Sequence, residues 1–338
     1  MKILVTGGTG FIGSHTCTEL IRSGYDVVIA DNLSNSSPLV PDRIRQITGI
    51  MPAFYEADVT DRSAVEEIFN REAPDAVIHF AGLKAVGEST RIPLEYYRNN
   101  LDSTLTLLSV MKEGSCRKFV FSSSATVYGD PAFVPVTEEC PLGTTTNPYG
   151  ETKAIQERIL QDLYRSDDSW DIMILRYFNP IGADESGLIG EDPEGIPNNL
   201  LPYIAQVAVG RLEAVHVFGN DYDTPDGTGV RDYIHVTDLA KGHIKAIEAM
   251  ERHHGVNIYN LGTGTGYSVL ECIQAFSEAF GKQIPYVIEE RRPGDIAVTY
   301  ADPGKALREL GWKAEKGLAD MCRDSWNWQS KNPMGYRT

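Results

Sequence analysis

A short strand followed by three regularly spaced glycines constrains the fold of this chain more than any other feature. The run "KILVT" (residues 2–6) is rich in strand-forming side chains, and "GGTGFIGSH" follows it with Gly7, Gly10 and Gly13 at three-residue intervals. A helical pattern then covers residues 11–22. Glycines permit a tight turn and let a phosphate approach the first amides of the helix. The spacing therefore predicts a strand–turn–helix unit that binds a dinucleotide pyrophosphate.

Apolar strands and amphipathic helices continue to alternate through the first half of the chain. Further strand-like runs lie at residues 27–30, 53–57, 76–80, 118–122 and 172–175. Helical patterns lie between most of them, at residues 62–71, 94–112 and 149–165. Such alternation predicts an α/β fold of the Rossmann type, in which a doubly wound, mainly parallel sheet carries helices on both faces.

The texture of the sequence changes near residue 179, where proline and glycine become frequent. Segments such as "GNDYDTPDGTGVRDY" indicate shorter elements and longer loops. We therefore expect a dinucleotide-binding domain over residues 1–178 and a smaller mixed α/β substrate domain over residues 179–338, with some later segments returning to the first domain. The C-terminal tail, "WQSKNPMGYRT", is expected to lie on the surface.

Composition and charge narrow the classes of partner. The chain has 338 residues and a formal net charge of −16, which argues against nucleic acids and anionic membranes because the field of the protein repels them. The five cysteines stand apart without metal-like spacing, so we expect reduced thiols and no metal site. The segment before the glycine turn is too short for a signal peptide, and no apolar run would span a bilayer. These features predict a cytoplasmic protein.

An acidic residue closes the second predicted strand. Asp31 lies close to the distance of about 20 residues after the glycine turn at which dinucleotide sites carry a carboxylate. A carboxylate at this place accepts hydrogen bonds from ribose hydroxyls and repels a 2′-phosphate, which favours NAD over NADP as the cofactor. Asp58 and Val59, after the third strand, are candidates for the adenine, although an aspartate in a turn is common without any ligand.

Three further residues form a candidate catalytic group. Tyr149 and Lys153 in "YGETK" are four residues apart and share one face of a predicted helix. A free phenol has a pKa of about 10, and a neighbouring ammonium and an oxidised nicotinamide ring both lower it toward that of a useful base. Ser124, in "SSSATVYG", ends the fifth strand at the carboxyl edge of the sheet, where its hydroxyl would bridge a substrate oxygen and the phenol.

The glycine spacing and the Tyr-x-x-x-Lys pair are similar to those of extended short-chain dehydrogenases, and further motifs narrow the likeness. From residue 1 to its last turn, the chain resembles the UDP-glucose 4-epimerase family without large insertions. The motifs that carry the resemblance are "FAGLKAVGES" (80–89), "SSSATVYG" (122–129), "NPYGETK" (147–153), "LRYFNPIGA" (175–183), "GIPNNLLPYIAQVAVG" (195–210), "GTGVRDYIHVTDLA" (227–240) and "YNLGTGTGYSV" (259–269).

The resemblance implies a transient oxidation at C4 of a UDP-sugar, with NAD kept bound and regenerated and Tyr149 taking the proton of the 4-hydroxyl. The resulting 4-keto sugar would turn over in the pocket before its reduction. Together with the glycine turn, the resemblance assigns to NAD the residues Gly7, Gly10, Phe11, Ile12, Gly13, Asp31, Asn32, Asn35, Ser36, Asp58, Val59, Phe80, Ala81, Gly82, Lys84, Asn99, Ser122, Tyr149, Lys153 and Phe178. It assigns to the UDP-sugar the residues Ser124, Tyr149, Asn179, Asn199, Leu200, Val215, His216, Phe218, Arg231, Tyr233, Val269, Arg292, Asp295 and Thr299.

Two other nucleotide-sugar enzymes share this chemistry as far as the 4-keto sugar. A 4,6-dehydratase carries Thr-Asp-Glu-Val-Tyr-Gly at the serine motif, and a UDP-glucuronate decarboxylase also carries glutamate at the third place. Here Ser124, Ala125 and Thr126 stand at those places, and neither alanine nor threonine supplies the acid and base that elimination needs. A non-catalytic NAD-sensing regulator is the alternative from another class, and we would expect it to lack Tyr149 or Lys153.

The resemblance also implies a specificity residue and an assembly. It puts Thr299 at a wall beside the sugar 2-substituent, where enzymes confined to glucose and galactose often carry a bulky aromatic. The small side chain predicts some turnover of UDP-N-acetylglucosamine or UDP-N-acetylgalactosamine, unless Tyr300 or a backbone shift closes the space. The family further implies a homodimer in which the helices near 94–112 and 150–165 pair into a four-helix interface.

Overall fold

The computed structural model describes residues 1–292 and 294–337. Its strands are Lys2–Thr6 (β1), Asp26–Asp31 (β2), Ala53–Glu56 (β3), Ala76–His79 (β4), Lys118–Ser124 (β5), Asp171–Tyr177 (β6), Asn179–Ile181 (β7), Val215–Phe218 (β8), Val230–His235 (β9), Gly255–Leu261 (β10), Gly266–Ser268 (β11), Tyr286–Glu289 (β12) and Val298–Thr299 (β13). Its helices are Phe11–Arg22 (α1), Val40–Thr48 (α2), Arg62–Glu72 (α3), Val86–Ser89 (α4), Pro93–Glu113 (α5), Pro148–Ser166 (α6), Leu200–Ala208 (α7), Val236–Ala249 (α8), Val269–Phe280 (α9), Gly304–Leu310 (α10) and Leu318–Lys331 (α11). A 3-10 turn, Ala125–Tyr128, follows β5.

A parallel sheet with the strand order β10-β6-β5-β4-β1-β2-β3 forms the centre of the molecule. The chain runs outward from β1 to β3 on one side and from β4 to β10 on the other. The loops after β1 and β4 therefore lead away from each other and open a crevice at the carboxyl edge, where ligands bind in open α/β folds. This topology confirms the predicted doubly wound Rossmann-type fold.

Separate apolar layers cover the two faces of this sheet. Along β1, Ile3 and Val5 pack in one layer with residues of α1 and α8, whereas Leu4 packs in the other with residues of α3, α5 and α6. Successive side chains of a strand point to opposite faces, so a strand buried on both sides must be apolar throughout. This is why the strands of the first half appear in the sequence as continuous apolar runs.

The second half of the chain builds a smaller unit beside the carboxyl edge. Strands β7, β9, β11 and β13 form one sheet, β8 and β12 form another, and helices α7, α9 and α11 close a third apolar cluster. In contrast, α8 packs on α1, and β10 pairs in register with β6. Residues 236–261 thus belong to the layers of the first half, although they follow strands of the smaller unit.

Helix boundaries agree with the sequence patterns to within one residue at each end. The predicted helix 11–22 coincides with α1, and the predictions 62–71, 94–112 and 149–165 correspond to α3, α5 and α6. Side chains fix some of these ends, since Asn147 accepts a hydrogen bond from the Gly150 amide and caps α6. The cap sets where α6 begins, and therefore where the tyrosine and lysine of its first turns lie.

The C-terminal tail corrects one expectation. Tyr336 is only 8 % exposed and its ring lies 4.7 Å from that of Trp328, so the prediction of a surface tail is wrong for these aromatic residues. The Tyr336 hydroxyl accepts a hydrogen bond from the Gly190 amide at 3.2 Å, and the Tyr336 amide donates to Asp192 at 2.8 Å. Within the two described ranges, no helix is long and apolar enough to cross a membrane.

Candidate active site

The glycine turn leaves no room for side chains where β1 passes into α1. A Cβ on Gly13 would lie 2.1 Å from the Gly7 carbonyl oxygen, and a Cβ on Gly7 would lie 2.7 Å from the Ala81 nitrogen. Gly7 also has a φ of +70°, in the left-handed region that glycine tolerates best. No side chain among the described residues caps α1 at Gly10, so its first amides remain available to a ligand. The positive end of the helix dipole makes this turn suited to a pyrophosphate.

Asp31 is held at the carboxyl end of β2 by the two loops around it. One carboxylate oxygen accepts from the Thr9 amide at 3.0 Å, and the other accepts from the Leu33 amide and the Ser36 hydroxyl, each at 3.0 Å. The Thr9 and Ser36 hydroxyls lie 2.7 Å apart and tie the glycine turn to the loop after β2. A carboxylate has about four lone-pair sites, so Asp31 can still accept from ligand hydroxyls.

A cavity of about 230 Å³ opens beside this turn. Four segments line it, namely residues 9–11 of the glycine turn, residues 35–38 after β2, residues 190–194, and the tail residues 336 and 337. The predicted cofactor residues Gly10, Phe11, Asn35 and Ser36 are among them. Sequence reasoning missed the other two segments, because a loop and a tail without periodicity carry no signal of where they fold.

The remaining predicted NAD residues lie along the carboxyl edge of the sheet. Asn32 donates to Asp58 at 3.4 Å beyond β2 and β3, while the Val59 side chain is buried in the apolar layer beneath them. The loop after β4 contains Phe80, Ala81, Gly82 and Lys84, and Asn99 lies on α5 next to Asn100, which accepts from the Leu83 amide of that loop at 2.8 Å. Ile12 lies in the first turn of α1, Ser122 lies in the last three residues of β5, and the buried Phe178 directly follows β6.

Ser124 and Tyr149 meet where β5 ends and α6 begins. The Ser124 hydroxyl accepts a hydrogen bond from the Thr126 amide at 3.3 Å. Burial raises the pKa of Tyr149, and the neighbouring Ser124 hydroxyl opposes that rise. In the chain alone, the phenol therefore holds its proton at neutral pH, and a positive group is needed before it can act as a base.

Lys153 lies one turn further along α6 and is buried. Its ammonium donates to the Ser122 carbonyl oxygen at 2.7 Å and lies 5.9 Å from the centre of the Tyr149 ring. Burial lowers the pKa of Lys153 to about 8, an effect opposed by Glu157. Since α6 begins at a fixed cap, both residues face β5, and the structure brings together the three predicted catalytic residues.

The positions that distinguish elimination from epimerisation lie next to this group. Ala125 and Thr126 form the first half of the 3-10 turn, so no carboxylate of the turn faces Tyr149. The Thr126 hydroxyl is buried without a hydrogen-bond partner among the described residues, close to the helical backbone at Gly150. A threonine hydroxyl is far too weak an acid to protonate a leaving group.

Glu191 connects the predicted cofactor and substrate residues, and sequence reasoning missed it. Its Oε1 atom lies 3.4 Å from the Lys84 ammonium and accepts from the Asn199 amide at 2.9 Å. Both partners come from distant parts of the chain, and the segment 182–199 shows no periodic pattern. Only the folded chain brings these three residues to one place.

The predicted substrate residues group on the strands of the smaller unit. Arg231 on β9 is in register with Thr299 on β13, and its guanidinium donates to the Val230 carbonyl at 2.8 Å. Arg292 stacks over the Phe218 ring at 4.6 Å and donates to Asp295 at 2.9 Å. Pro293, between these loop residues, and Thr338, at the end of the predicted domain, lie outside the described residues.

The other predicted substrate residues differ in exposure. Asn179 and His216 are exposed, whereas Leu200 and Val269 are half-buried at the starts of α7 and α9. Val215 and Tyr233 are 1 % and 4 % exposed, because alternation along β8 and β9 turns their side chains into the apolar cluster of the smaller unit. Their assignment to the UDP-sugar stays a prediction.

The chain can now be compared with known proteins. The sequence family described as "NAD dependent epimerase/dehydratase family" matches residues 3–262. The UDP-glucose 4-epimerases of Bacillus subtilis (strain 168) and Haemophilus influenzae are 61 % and 59 % identical to it, each over 100 % of this chain and at least 99 % of their own length. The structure of UDP-glucose 4-epimerase from Bifidobacterium longum in complex with NAD+ and UDP matches with a TM-score of 0.97 at 60 % identity, over 99 % of this chain and 100 % of the other. The chain belongs to the NAD dependent epimerase/dehydratase family and, within it, to the UDP-glucose 4-epimerases.

Proposed function

We propose that this protein interconverts UDP-galactose and UDP-glucose by epimerisation at C4, with NAD as a cofactor that stays bound. The observation that carries the proposal is the Ser124–Tyr149–Lys153 group at the same sheet edge as the glycine turn. A group that removes a proton beside a dinucleotide site is suited to oxidising an alcohol.

The residues of the cofactor site fit NAD. Gly7 and Gly13 keep clear the space that a Cβ would fill, and the uncapped end of α1 offers amides to the pyrophosphate. Asp31 would accept from the adenosine ribose hydroxyls and exclude a 2′-phosphate. When bound, NAD would supply the acceptor for the C4 hydride and then the donor that gives it back to the opposite face of the sugar.

The chain's own residues move the proton. Ser124 orients the sugar 4-hydroxyl toward the Tyr149 phenolate, which accepts the proton as the alcohol is oxidised to a 4-keto sugar. Lys153 stabilises the phenolate by its charge. In the return step, the Tyr149 phenol gives the same proton back to the C4 oxygen, so atoms and electrons balance over the cycle.

The predicted substrate residues would bind the UDP moiety through several contacts and the sugar through only a few. Arg231 and Arg292 would bind the diphosphate, and Asp295 the ribose hydroxyls. Phe218 supplies an aromatic face to the base, and Arg292 already stacks on it. A sugar held only by Ser124 and its neighbours can turn over in the pocket while the nucleotide stays bound.

The absence of an acid–base pair in the turn Ala125–Tyr128 favours epimerisation over 4,6-dehydration. Without a group to protonate the departing C6 hydroxyl, the 4-keto sugar can only be reduced again. This argument separates the proposed function from the dehydratase that shares its first step.

The test is turnover without added reductant. Purified protein given UDP-galactose should form UDP-glucose, and no 4-keto-6-deoxy sugar should accumulate. Tyr149→Phe should lower kcat at least a thousandfold while the affinity for UDP stays within about twofold. Near-normal turnover in that variant would assign the base to another residue, and binding without any turnover in the wild type would support a regulator instead.

We also propose that the protein is a cytoplasmic homodimer. Helix α5 carries exposed apolar side chains, including Leu94 and Leu105, which fits a face covered by a second copy. The five buried thiols are all unpaired, as expected in a reducing compartment. Light scattering should give twice the chain mass, and Leu105→Glu should shift the protein toward monomer; a monomeric wild type would refute the dimer.

A further inference from the structure

A buried ion pair lies directly behind the candidate catalytic group. Arg176 on β6 donates from Nε to one oxygen of Glu157 at 2.9 Å and from Nη2 to the other at 2.6 Å. Arg176 is 3 % exposed and Glu157 is fully buried. A two-point pair of this kind fixes both side chains, yet replacing buried pairs with apolar residues often costs little stability. Stability alone therefore does not explain its presence.

The pair joins the elements that carry the catalytic residues. Glu157 lies on α6 one turn after Lys153, and it also accepts from the Ser123 hydroxyl at 2.5 Å, the neighbour of Ser124 on β5. The carboxylate thus ties the Tyr149–Lys153 face of α6 to the last residues of β5. Loss of this tie would move Ser124 relative to the neighbouring Tyr149 phenol.

A tyrosine extends the pair to the turn after β5. Arg176 Nη1 donates to the Tyr128 hydroxyl at 2.9 Å, and that hydroxyl donates to Asn260 at 2.7 Å. The guanidinium also lies 4.8 Å above the Tyr128 ring. The side chains of Arg176, Glu157 and Tyr128 all have hydrogen-bond partners, so the network holds Tyr128, at the end of the turn Ala125–Tyr128, in one position.

We propose that the Arg176–Glu157 pair is a positioning element of the catalytic group, which aligns Ser124 with Tyr149 and balances the charge felt by Lys153. The inference rests on the proposed function, because it assumes that Tyr149 is the base. Neither residue of the pair contacts the reacting atoms; both act through Lys153, Ser124 and the backbone between them.

The charges around Lys153 determine the direction in which loss of Glu157 shifts the ionisation of Tyr149. Lys153, Glu157 and Arg176 together carry a net charge of +1 in a buried region, and Glu157 raises the pKa of Lys153 against the effect of burial. Removing the carboxylate leaves a guanidinium that cannot lose its proton in the working pH range. On the acidic limb of the pH profile, where Lys153 keeps its proton, the added positive charge favours the Tyr149 phenolate and should lower the pH at which it forms.

Other groups that face this region remain neutral at working pH. Burial lowers the pKa of His79 on β4 to about 3, and burial raises the pKa of Tyr177 on β6. The pKa of Tyr96 on α5 is raised by burial and by its hydrogen bond to Glu88. These residues therefore do not titrate where the effect is sought.

Two further acidic groups lie on the segments around the network. Glu138 accepts from the Asn260 amide at 2.7 Å, and its pKa is raised by burial. Glu151 on the first turn of α6 accepts from the Thr145 hydroxyl at 2.5 Å. The variants below leave both of them in place, so their contributions cancel in comparisons with the wild type.

The experiment compares charge-changing and charge-balanced variants of the NAD-loaded enzyme. Glu157→Gln should move the acidic midpoint of the pH–kcat profile down by about half to one unit. The double variant Glu157→Gln with Arg176→Gln should return the midpoint to within about 0.2 units of wild type, because both charges are removed. Both variants should lower kcat about tenfold, with KM changed less than twofold, since alignment is lost in each.

A second measurement, the titration of Tyr149 itself, does not depend on turnover. Tyrosinate absorbance is measured against pH in each NAD-loaded protein and in the same protein carrying Tyr149→Phe. The difference between the two curves gives the ionisation of Tyr149. If wild type fails to convert UDP-galactose, the proposed function fails, whereas this titration still tests the pair. Tyr259→Phe, which removes a hydroxyl bonded to Glu309 outside the network, is the matched control and should change neither midpoint nor kcat.

Results opposite to these expected shifts would overturn the proposal. An unchanged or raised midpoint in Glu157→Gln, or a double variant that keeps the shift, would refute the balance of charge. Should Glu157→Gln not fold, Glu157→Met with Arg176→Met replaces the pair by apolar side chains. Wild-type kcat in that variant would refute positioning, and a tenfold loss of kcat at unchanged KM would support it.

Discussion

Replacing Lys153 by methionine should make the protein more stable and inactive at the same time. The ammonium is buried, and burial lowers the pKa of Lys153 from an ordinary value of 10.5 to about 8. At about 1.4 kcal/mol per unit, holding this charge in the fold costs ~3 kcal/mol at pH 7. Methionine removes that cost but leaves the Ser122 carbonyl without its donor, a loss of ~1–2 kcal/mol. We expect a net gain of ~1–2 kcal/mol in the free energy of unfolding.

The stability difference between wild type and Lys153→Met should depend on pH in a definite direction. A lysine with a depressed folded-state pKa binds fewer protons in the folded than in the unfolded chain between about pH 8 and 10.5, so wild-type stability rises through that window relative to the variant. The cost in wild type falls to ~1.5 kcal/mol at pH 9.5, and the advantage of methionine should then be close to zero. Urea denaturation of cofactor-free protein at pH 7 and pH 9.5 measures both values.

A control variant distinguishes the effect of removing a buried charge from the effect of removing a lysine at an exposed position. Lys241→Met removes an ammonium that is 44 % exposed and 3.8 Å from Glu315, and it should change the free energy of unfolding by less than ~0.5 kcal/mol at either pH. A Lys153→Met protein that is less stable than wild type at pH 7, or whose difference from wild type is the same at both values, would refute the reasoning. Turnover should be lost in Lys153→Met throughout.

Three other substitutions test the cofactor and substrate residues. Gly13→Ala places a Cβ 2.1 Å from the Gly7 carbonyl oxygen, so it should abolish NAD binding or folding, whereas Gly317→Ala meets open space and should be neutral; a fluorescence titration with NAD compares them. Asp31→Asn should weaken NAD at least tenfold and narrow its advantage over NADP, and equal Kd values in variant and wild type would contradict the ribose contact. Thr299→Tyr should reduce turnover of UDP-N-acetylglucosamine much more than that of UDP-galactose, and equal discrimination in both proteins would dismiss the wall at this position.

Much of the fold could be predicted because local and tertiary preferences coincide in the first half of the chain. The glycine turn requires a strand before it and a helix after it, and α1 has the predicted bounds. Strands buried on both faces must be apolar along their length, which makes them visible as runs. The candidate Tyr149–Lys153 pair was visible for a related reason, since a spacing of four on a helix brings side chains to one face.

Residues joined across long stretches of chain could not be found in this way. Glu191 bonds residues near positions 84 and 199, and Tyr336 folds onto Gly190 and Asp192, through loops that lack any period. The partner of Glu157 on the neighbouring strand was equally hidden, because Arg176 in an apolar strand appears in the sequence as an isolated charge. Such contacts depend on which surfaces pack together, and that is a property of the whole fold.

The electrostatics of the site explain why the base should work only with its cofactor. Burial raises the pKa of Tyr149 and lowers that of Lys153, so in the chain alone both groups are pushed toward their neutral forms. Bound NAD in its oxidised form would supply the positive charge that favours the Tyr149 phenolate, and in its reduced form it would not. Tyr149 should therefore be basic when the 4-hydroxyl must lose its proton and acidic when the 4-keto oxygen must regain it. A single tyrosine can then serve both half-reactions, as an enzyme requires when it gives back to the substrate the electron pair that it removed.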